Sequence, residues 1–295
     1  MNTSGQKPGK LKPQDVTRRF DRAAVKFDAV DFVHRHAAKG LFERMSPMLV
    51  NVERVLDAGA ATGSGSRALA RRFPRSRVLC LDSSAYMLKR AKKKRSRFAR
   101  ISELRADATR LPLREGSIDL VFANMLLPWI DDLPAFFMEI NRVLRKDGLF
   151  VFSSLGPDSL GELRQAWSTV DRGEHVNAFI DMHDVGDRIL QAGLREPVLD
   201  VDYLSVTYRS AGALFEDLTL TGARNSLEGR RKSLTGKNRF GDMKRALAGP
   251  AGDKSLVLRL ELVFGHAWGS GLRSASGEFR LDVGDIGRRS RRRSD

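Results

Sequence analysis

The sequence predicts an α/β protein with a doubly wound, mostly parallel sheet, and three observations support this fold class. Short apolar runs alternate with amphipathic stretches through the first half of the 295-residue chain, as strands and helices do in such folds. A turn of small residues joins the first predicted strand to the first helix of that series. The last apolar stretch, SLVLRLELVF at residues 255–264, alternates strictly and predicts an antiparallel final strand.

The turn after the first strand lies in the segment RVLDAGAATGSG, residues 54–65. Glycines allow a ligand to approach the backbone, and the free N–H groups of the following helix favour a nucleotide. The dinucleotide fingerprint needs glycine at 59, 61 and 64, but the chain has Gly59, Ala61 and Ser64. The triphosphate-binding loop is excluded because no lysine follows. The remaining pattern is Asp-x-Gly-x-x-x-Gly, from Asp57 to Gly63.

Polar residues follow four successive predicted strands. Asp57 ends the first strand, and Asp82 ends the second, where a carboxylate can accept hydrogen bonds from two ribose hydroxyls. Asp107 and Asn124 follow the third and fourth strands. Ligands of open α/β sheets lie beyond the carboxyl ends of the strands, so segment 124–129 (NMLLPW) is expected to border the binding site.

Apolar periodicity and turn residues predict the remaining elements. Residues 15–49 are predicted to form two helices that cap the site, and a glycine stop at 145–148 is predicted to end one central helix. A basic linker is predicted between residues 226 and 237. The predicted strands are 77–81, 103–106, 116–123, 149–153, 198–208 and 255–264, and the predicted helices are 66–73, 83–97, 133–144, 157–170, 181–192 and 211–221.

The composition is that of a globular protein, with 41% hydrophobic residues. No apolar stretch reaches the roughly 20 residues of a membrane helix, and the polar N-terminus has no secretory pattern. The single cysteine, Cys80, lies in an apolar run and is expected in the core. These features predict a cytoplasmic location, with no metal site.

A net charge of +16 is unevenly distributed. One cluster is KRAKKKRSRFAR, from Lys89 to Arg100, and another lies at 288–293. Such clusters favour acidic partners, namely nucleic acid, an anionic membrane or an acidic protein. We predict disorder for residues 1–14, one domain over 15–270 and a basic tail over 271–295. Within the domain, 15–49 form the cap, 50–155 the nucleotide-binding core, and 156–270 the substrate-side helices and last two strands.

The loop and the polar strand ends, taken in order, resemble class I S-adenosylmethionine (SAM)-dependent methyltransferases over about residues 50–155. The resemblance implies a Rossmann-like methyltransferase sheet and SAM as the cofactor. It further implies that Asp107 accepts from the adenine amino group while the N–H of Ala108 binds the ring. The cofactor-binding residues that it implies are Asp57, Gly59, Ala60, Ala61, Gly63, Asp82, Ser83, Met87, Asp107, Ala108 and Asn124.

Five longer strings extend the resemblance over nearly the whole chain. RFDRAAVKFD, NMLLPWIDD, FSSLGPDSLGELRQAW, HVNAFIDMHDVGD and GARN are similar to the malonyl-[acyl-carrier protein] O-methyltransferases of biotin synthesis. The family's reaction is methylation of the free carboxylate of a malonyl thioester. The methyl ester removes the negative charge, so that fatty-acid enzymes can elongate the acyl chain toward pimeloyl. The sequence leaves open whether the carrier-bound or the coenzyme A thioester is used.

Two positions depart from the family pattern. Ala61 replaces a usual glycine in the SAM loop, at little cost if its φ is negative. Phe27 replaces the tyrosine of many members, which removes a hydroxyl that could bind substrate. His34 and His36 lie in the cap, where one of them could face a substrate, but a surface position is favoured for each.

Methyl transfer to a carboxylate needs no general base, because the group is ionised near pH 7. Alignment can supply about 7–11 kcal/mol, so we predict no catalytic acid or base. A buried carboxylate needs a cation or several donors. Candidates are His175, His183, Arg224, Arg230 and Arg231, of which Arg224 and His175 are favoured; Trp129 is expected to wall the site and Phe27 to contact substrate.

Two other functions stay open at this stage. A SAM-binding assembly factor or protein-modifying enzyme, related to the complex I arginine hydroxylase, shares the fold. An RNA methyltransferase is suggested by the pI of about 10.5, but NMLLPW replaces the (N/D)PP(Y/F) tetrapeptide of base N-methyltransferases. The enzyme hypothesis predicts that the segment from Lys89 to Arg100 docks an acidic acyl carrier protein.

Overall fold

The computed structural model describes residues 10–48, 51–230, 233, 235–249 and 256–271. Its described residues form one seven-stranded sheet in the order β3-β2-β1-β4-β5-β7-β6, in which only β7 runs antiparallel to its neighbours. The predicted fold class is thereby confirmed. The strands are β1 Arg54–Ala58, β2 Arg77–Asp82, β3 Ile101–Arg105, β4 Ile118–Asn124, β5 Leu144–Leu155, β6 Arg195–Tyr208 and β7 Leu256–Trp268.

Helices cover both faces of the sheet and its carboxyl edge. A short 3₁₀ turn, Leu127–Trp129, follows β4. The α-helices are α1 Pro13–Ala23, α2 Phe27–Val30, α3 Phe32–Arg44, α4 Ser64–Arg72, α5 Ala85–Lys94, α6 Leu133–Val143, α7 Gly161–Ser168, α8 Met182–Gln191, α9 Ala211–Leu220 and α10 Lys237–Ala248. No helix among the described residues is long and apolar enough to cross a membrane.

The core lies on the two faces of the central strands. One face packs against α6 and α8 around Phe136, Phe137 and Phe150, and the other packs against α3 and α4 around Leu41 and Phe122. The residues of β4 from Ile118 to Ala123 are all buried, as in a parallel strand covered on both sides. A third cluster joins α7, α9 and α10. The central strands therefore form a rigid platform whose carboxyl ends carry the site.

Several predicted boundaries are wrong. Helix α6 ends at Val143, and β5 begins at the next residue because Leu144 pairs with Ile118 of β4. Gly148 is therefore inside the strand and is not a helix stop. Residues 83–84 and 157–160 do not join the helices predicted there, since α5 begins at Ala85 and α7 at Gly161.

Three further segments differ from the prediction. The cap contains three helices instead of two, α1, α2 and α3. Helix α10 follows the predicted basic linker, and it forms because Met243 is buried against α7 and α9. Residues 10–14 are ordered, because Leu11 is buried, bridges to Leu227 and precedes α1. Residues 1–9 of the predicted disordered segment and residues 272–295 of the predicted basic tail lie outside the described residues.

Candidate active site

The loop between β1 and α4 is a glycine cradle. Gly59 and Gly63 have φ of 71° and 77°, in the region that favours glycine. A Cβ on Gly59 would lie 2.7 Å from Cδ1 of Leu126, so this position has no room for a side chain. Ala61 also has a positive φ, 46°. The negative φ that would make alanine cheap at this position is therefore not what Ala61 adopts.

Asp82 stabilises the left-handed conformation of Ala61. Its Oδ2 accepts a hydrogen bond from the Ala61 N–H at 2.9 Å, and its Oδ1 accepts one from the Ser84 N–H at 2.8 Å. Burial raises the pKa of Asp82 to about 6 against the effect of these hydrogen bonds. Each oxygen keeps a second lone pair. The end of β2 thus holds a carboxylate over the loop with acceptor capacity for hydroxyl groups.

Asp57 is buried beneath the same loop. Its Oδ2 accepts a hydrogen bond from Ser66 Oγ at 2.6 Å, in the first turn of α4. A Cβ on Gly65 would lie 3.0 Å from that oxygen, so Gly65 provides the space that the carboxylate needs. Burial raises the pKa of Asp57 to about 7. This residue organises the loop from inside.

The remaining predicted cofactor residues lie in the loop itself or follow β2 and β3. Met87 is fully buried, and its N–H is capped by Ser84 Oγ at 3.1 Å. Asp107 Oδ1 accepts from the N–H and the hydroxyl of Thr109, at 2.9 and 2.8 Å. Ser83 contacts Thr17 of α1 at 3.3 Å between hydroxyl oxygens. Ala108, after β3, and Ala60, in the loop, are both buried.

Asn124 connects the end of β4 to the cap and to β5. Its Nδ2 donates to the carbonyl oxygen of His34 at 3.0 Å, and its Oδ1 accepts from Ser153 Oγ at 2.8 Å. The next residue, Met125, has a left-handed φ of 56° and donates its N–H to Ser153. Strain of this kind at a strand end is common at functional sites.

The cap helices lie over the cradle. Phe27 is buried with Ala23, Ala24 and Met87, so it packs the cap onto the loop and does not reach the cavity described below. Asp28 accepts a hydrogen bond from Thr62 of the loop and pairs with Lys94 of α5. Asp21 accepts from Ser84 Oγ at 2.5 Å. Helices α1 and α2 are thus attached to both sides of the cradle.

A cavity of about 570 Å³ opens at the carboxyl edge of the sheet, between α3, α7, α9, α10 and β7. Met125 lines its inner end, one residue from the Leu126 that contacts the glycine cradle. Trp129, His175 and Arg224, three of the four predicted substrate residues, line this cavity. Its walls are mainly apolar, so a ligand inside would be largely shielded from water.

The predicted polar candidates occupy different positions. His175 stacks on Trp167 with ring centroids 3.8 Å apart, and its Nε2 lies 2.6 Å from Asp171 Oδ1. Arg224 is exposed at the cavity mouth, where Arg230 also lies. His183 begins α8 outside the cavity lining, and Arg231 lies outside the described residues.

Two cavity residues were not predicted from the sequence as site residues. His34 is not the surface histidine that was expected: it lines the cavity, packs on Phe27 and has a buried Nδ1 without a partner among the described residues. Burial lowers its pKa to about 4, so the ring is neutral at pH 7. The available signal was its spacing of three and seven residues from the buried Ala37 and Leu41, on one helix face.

Arg19 is the second residue that sequence reasoning missed. It lines the cavity from α1, between the buried Val16 and Ala23 at spacings of three and four. Helical periodicity could therefore have placed it on the inner face. A basic residue in the string TRRFDR does not by itself indicate that face.

Known proteins share this architecture. Residues 56–152 match a family model described as a methyltransferase domain. The YcgJ protein of Bacillus subtilis is 15% identical with a TM-score of 0.56, covering 79% of this chain and 98% of that chain. A SAM-dependent methyltransferase of Thermotoga maritima is 17% identical with a TM-score of 0.50, covering 86% and 99%. The fold, the cradle and the domain match define a class I SAM-dependent methyltransferase.

Full-length relatives narrow this class. The malonyl-[acyl-carrier protein] O-methyltransferase of Gallionella capsiferriformans is 40% identical over 255 residues, 84% of this chain and 88% of the relative. The protein of the same name in Halorhodospira halophila is 39% identical over 282 residues, 94% and 96% of the two chains. The chain belongs to the malonyl-[acyl-carrier protein] O-methyltransferase family.

Proposed function

We propose that this protein transfers the methyl group of SAM to the free carboxylate of a malonyl thioester carried by an acyl carrier protein. The observation that carries the proposal is the apolar cavity that starts beside the glycine cradle. It is much larger than a three-carbon acyl group, so it has room for the arm that carries the thioester. The names of the curated relatives give the same substrate.

The cradle suits SAM on two observations. Gly59 and Gly63 keep the backbone open where a side chain would meet Leu126 or Ala91, and Asp82 presents carboxylate oxygens over the loop. When bound, SAM supplies a methyl group on a positively charged sulfur. We assign its binding to Asp57, Gly59, Ala60, Ala61, Gly63, Asp82, Ser83, Met87, Asp107, Ala108 and Asn124.

The chain's own contribution to the reaction is positioning and exclusion of water. The substrate carboxylate is already ionised at pH 7 and needs no base. His34, neutral and with an unpaired ring nitrogen, is suited to donate a hydrogen bond to one carboxylate oxygen at the inner end of the cavity. A neutral donor orients the nucleophile without neutralising its charge. The apolar walls strengthen attraction between opposite charges.

The other substrate residues act along the cavity. Trp129 forms a wall and is packed edge-on by Phe20 of α1, with ring centroids 5.2 Å apart. His175 is held by Asp171 and Trp167 and shapes the lining. The exposed position of Arg224 favours a contact with the end of the arm nearest the carrier instead of the acyl group. Phe27 contributes by packing the cap onto the loop.

The test is direct. Purified protein is incubated with SAM and malonyl-carrier protein, and the carrier is analysed by mass spectrometry for the gain of one methyl group. A parallel reaction with malonyl-coenzyme A asks whether the carrier is needed. SAM binding without methylation of either thioester would contradict the proposal and favour the assembly-factor alternative.

We further propose that the basic segment from Lys89 to Arg100 helps to dock the carrier. Lys92 and Lys93 are exposed on α5, and Phe98 is 96% exposed beside them. Lys94 and Arg95 are instead paired with Asp28 and Glu103. Lys92 and Lys93, which are adjacent on α5 and form no ion pair among the described residues, are therefore the pair to test.

Charge reversal tests this docking surface. Lys92→Glu combined with Lys93→Glu is expected to raise the KM for malonyl-carrier protein without changing the affinity for SAM. Arg71→Glu combined with Arg75→Glu makes the same charge change at exposed positions around α4 and is the control. Equal KM values for the two double variants would exclude α5 as the docking helix.

A further inference from the structure

Three arginines converge at the mouth of the cavity: Arg19 of α1, and Arg224 and Arg230 after α9. Arg230 is fixed, because its Nη2 lies 2.6 Å from Asp15 Oδ2 and its Nη1 donates to the Leu227 carbonyl at 3.0 Å. Within the described part of the chain, neither Arg19 nor Arg224 is paired with a carboxylate. The cluster thus holds three positive charges and one negative charge.

This excess charge affects Arg19. Burial lowers the pKa of Arg19 most, and the positive charges of Arg230 and Arg224 lower this pKa further. Like charges in a partly buried site repel each other strongly, because the local dielectric constant is low. An anion between the guanidinium groups would relieve this repulsion and accept their hydrogen bonds.

The two carboxylates that also line the cavity do not supply this anion. Asp217 is hydrogen-bonded to Tyr208, and burial raises its pKa. Glu174 lies against Gly229, where an added Cβ would be 3.1 Å from its Oε2. Neither forms an ion pair with Arg19 or Arg224 among the described residues. The cluster is therefore open to a ligand.

The position of the cluster decides which anion it fits. The acyl carboxylate must reach the inner end of the cavity, beside Met125 and His34, where the cradle lies. Arg224 is exposed, so the cluster marks the opposite end of the path, at the mouth. A guanidinium on the acyl carboxylate would also draw electron density from the attacking oxygen. The remaining anion of a carrier-bound substrate is the phosphodiester that joins its acylated arm to the carrier.

We propose that Arg19 and Arg224, with Arg230 held in place by Asp15, bind the phosphodiester of the carrier's arm. Arginine suits this group, because its planar guanidinium forms paired hydrogen bonds with phosphate oxygens. The inference rests on the proposed function and assigns the cavity mouth to the arm. It makes these arginines determinants of preference for carrier-bound over phosphate-free thioesters.

The test compares malonyl-carrier protein with malonyl-pantetheine, which lacks both the phosphodiester and the carrier; the binding measurement described below isolates the phosphate. Malonyl-pantetheine has the thioester and most of the arm but no phosphodiester. Arg19→Gln and Arg224→Gln, alone and combined, are expected to raise the KM for malonyl-carrier protein roughly tenfold or more, as expected for lost hydrogen bonds to a charged group. The kcat, and the KM for malonyl-pantetheine, should stay at the wild-type values.

Arg18→Gln is the matched control, because it removes the same charge from the same helix at a side chain that is 65% exposed, lies outside the cavity lining and comes no nearer to Asp15 than 3.9 Å. An equal rise in KM for both substrates would overturn the proposal and assign the arginines to the acyl carboxylate. An equal rise with Arg18→Gln, or no rise, would also overturn it. A wild-type protein inactive on both substrates would instead contradict the proposed function.

A binding measurement gives a readout that does not depend on turnover. Calorimetry with 4′-phosphopantetheine and with pantetheine should show tighter binding of the phosphorylated compound to the wild-type protein. The double variant should lose that difference. Equal affinity of the wild type for the two compounds would overturn the proposal.

Discussion

Ala61 adopts a left-handed conformation, with φ of 46°, in the loop between β1 and α4. A non-glycine residue there costs about 1 kcal/mol or more, because its Cβ approaches the backbone. Ala61→Gly is therefore expected to raise the free energy of unfolding by about 0.5–1 kcal/mol. Urea denaturation measures this change. Ala60 is a buried neighbour without a positive φ, so Ala60→Gly should lower the free energy of unfolding. Stabilisation by both variants would contradict the strain argument.

Asp57 gives the stability of the protein a specific pH dependence. Burial raises its pKa from 3.8 to about 7 in the folded state, so the folded protein retains a proton that the unfolded chain has lost. The stabilising contribution of the protonated group is present below about pH 4 and is lost as the pH rises to about 7, at about 1.4 kcal/mol per pKa unit.

Asp57→Asn isolates this effect, because an amide keeps an acceptor for Ser66 without titrating. The wild type should become less stable relative to the variant between about pH 4 and about pH 7. Urea unfolding of both proteins across this range measures the difference. A difference that is constant with pH would exclude a raised pKa at Asp57.

Substitutions of His34 distinguish the effect of hydrogen bonding from that of packing at the inner end of the cavity. His34→Ala removes the proposed donor and is expected to lower kcat/KM for the malonyl thioester roughly tenfold. His34→Gln retains a side-chain donor and should recover part of the loss. Calorimetry should show unchanged SAM affinity in both variants. Equal activities of the Ala and Gln variants would show that only packing matters.

The polar residues at the strand ends can be predicted from the sequence, while the cavity residues cannot. Asp57 and Asp82 follow short apolar runs, so a local pattern is sufficient to place them at one edge of the sheet. His34 and Arg19 line a cavity most of whose other walls come from residues 125–260. Their burial depends on contacts that are distant in sequence, and no local pattern contains this information.

At the scale of elements, α1 and α2 act as a cap whose attachment depends on a few side chains. Asp28 binds both Thr62 in the cradle and Lys94 on α5. Asp28→Asn keeps the size of the side chain but loses the ion pair, so the cap should open more often. We expect the Kd for SAM to rise roughly three- to tenfold, in the range of a partly buried charge-assisted contact.

The control for the cap is Glu43→Gln on α3. Its pair with Lys39 is exposed, with side-chain exposures of 64% and 77%, and such pairs contribute little. Calorimetric titration with SAM should therefore give the wild-type Kd. An unchanged Kd for Asp28→Asn would mean that the cap does not contribute to cofactor binding.

Element boundaries show where sequence periodicity is not sufficient. Leu144 follows a good helix pattern, yet β5 begins there because Leu144 pairs with Ile118 across the sheet. Helix α10 lies in a basic segment whose apolar residues are few, and burial of Met243 and Phe240 against α7 and α9 stabilises it. In both cases tertiary contacts outweigh local preference.

For the whole molecule, the order of strands and helices predicts the sheet, because alternation and right-handed crossovers permit few topologies. The antiparallel β7 is also predicted, from its strict alternation. The net charge of +16 is also a property of the whole molecule. It does not select a fold, but it controls encounter with charged partners.

This charge predicts a salt dependence that is specific to the carrier. Electrostatic steering raises association rates by about 10- to 1000-fold and weakens as the Debye length shortens. Raising NaCl from about 0.05 M to about 0.5 M should therefore lower kcat/KM for malonyl-carrier protein about tenfold or more. Malonyl-pantetheine, which is small and has no acidic surface, should show a much weaker dependence.

The docking variant on α5 completes this experiment. Because Lys92 and Lys93 are exposed, reversing both charges should reduce the salt dependence for the carrier substrate and leave that of malonyl-pantetheine unchanged. The Arg71/Arg75 variant changes the net charge equally and should keep most of the dependence if the local field of α5 steers the carrier. If kcat/KM for the carrier substrate fell equally with salt in both variants, total charge and not this helix would control the encounter.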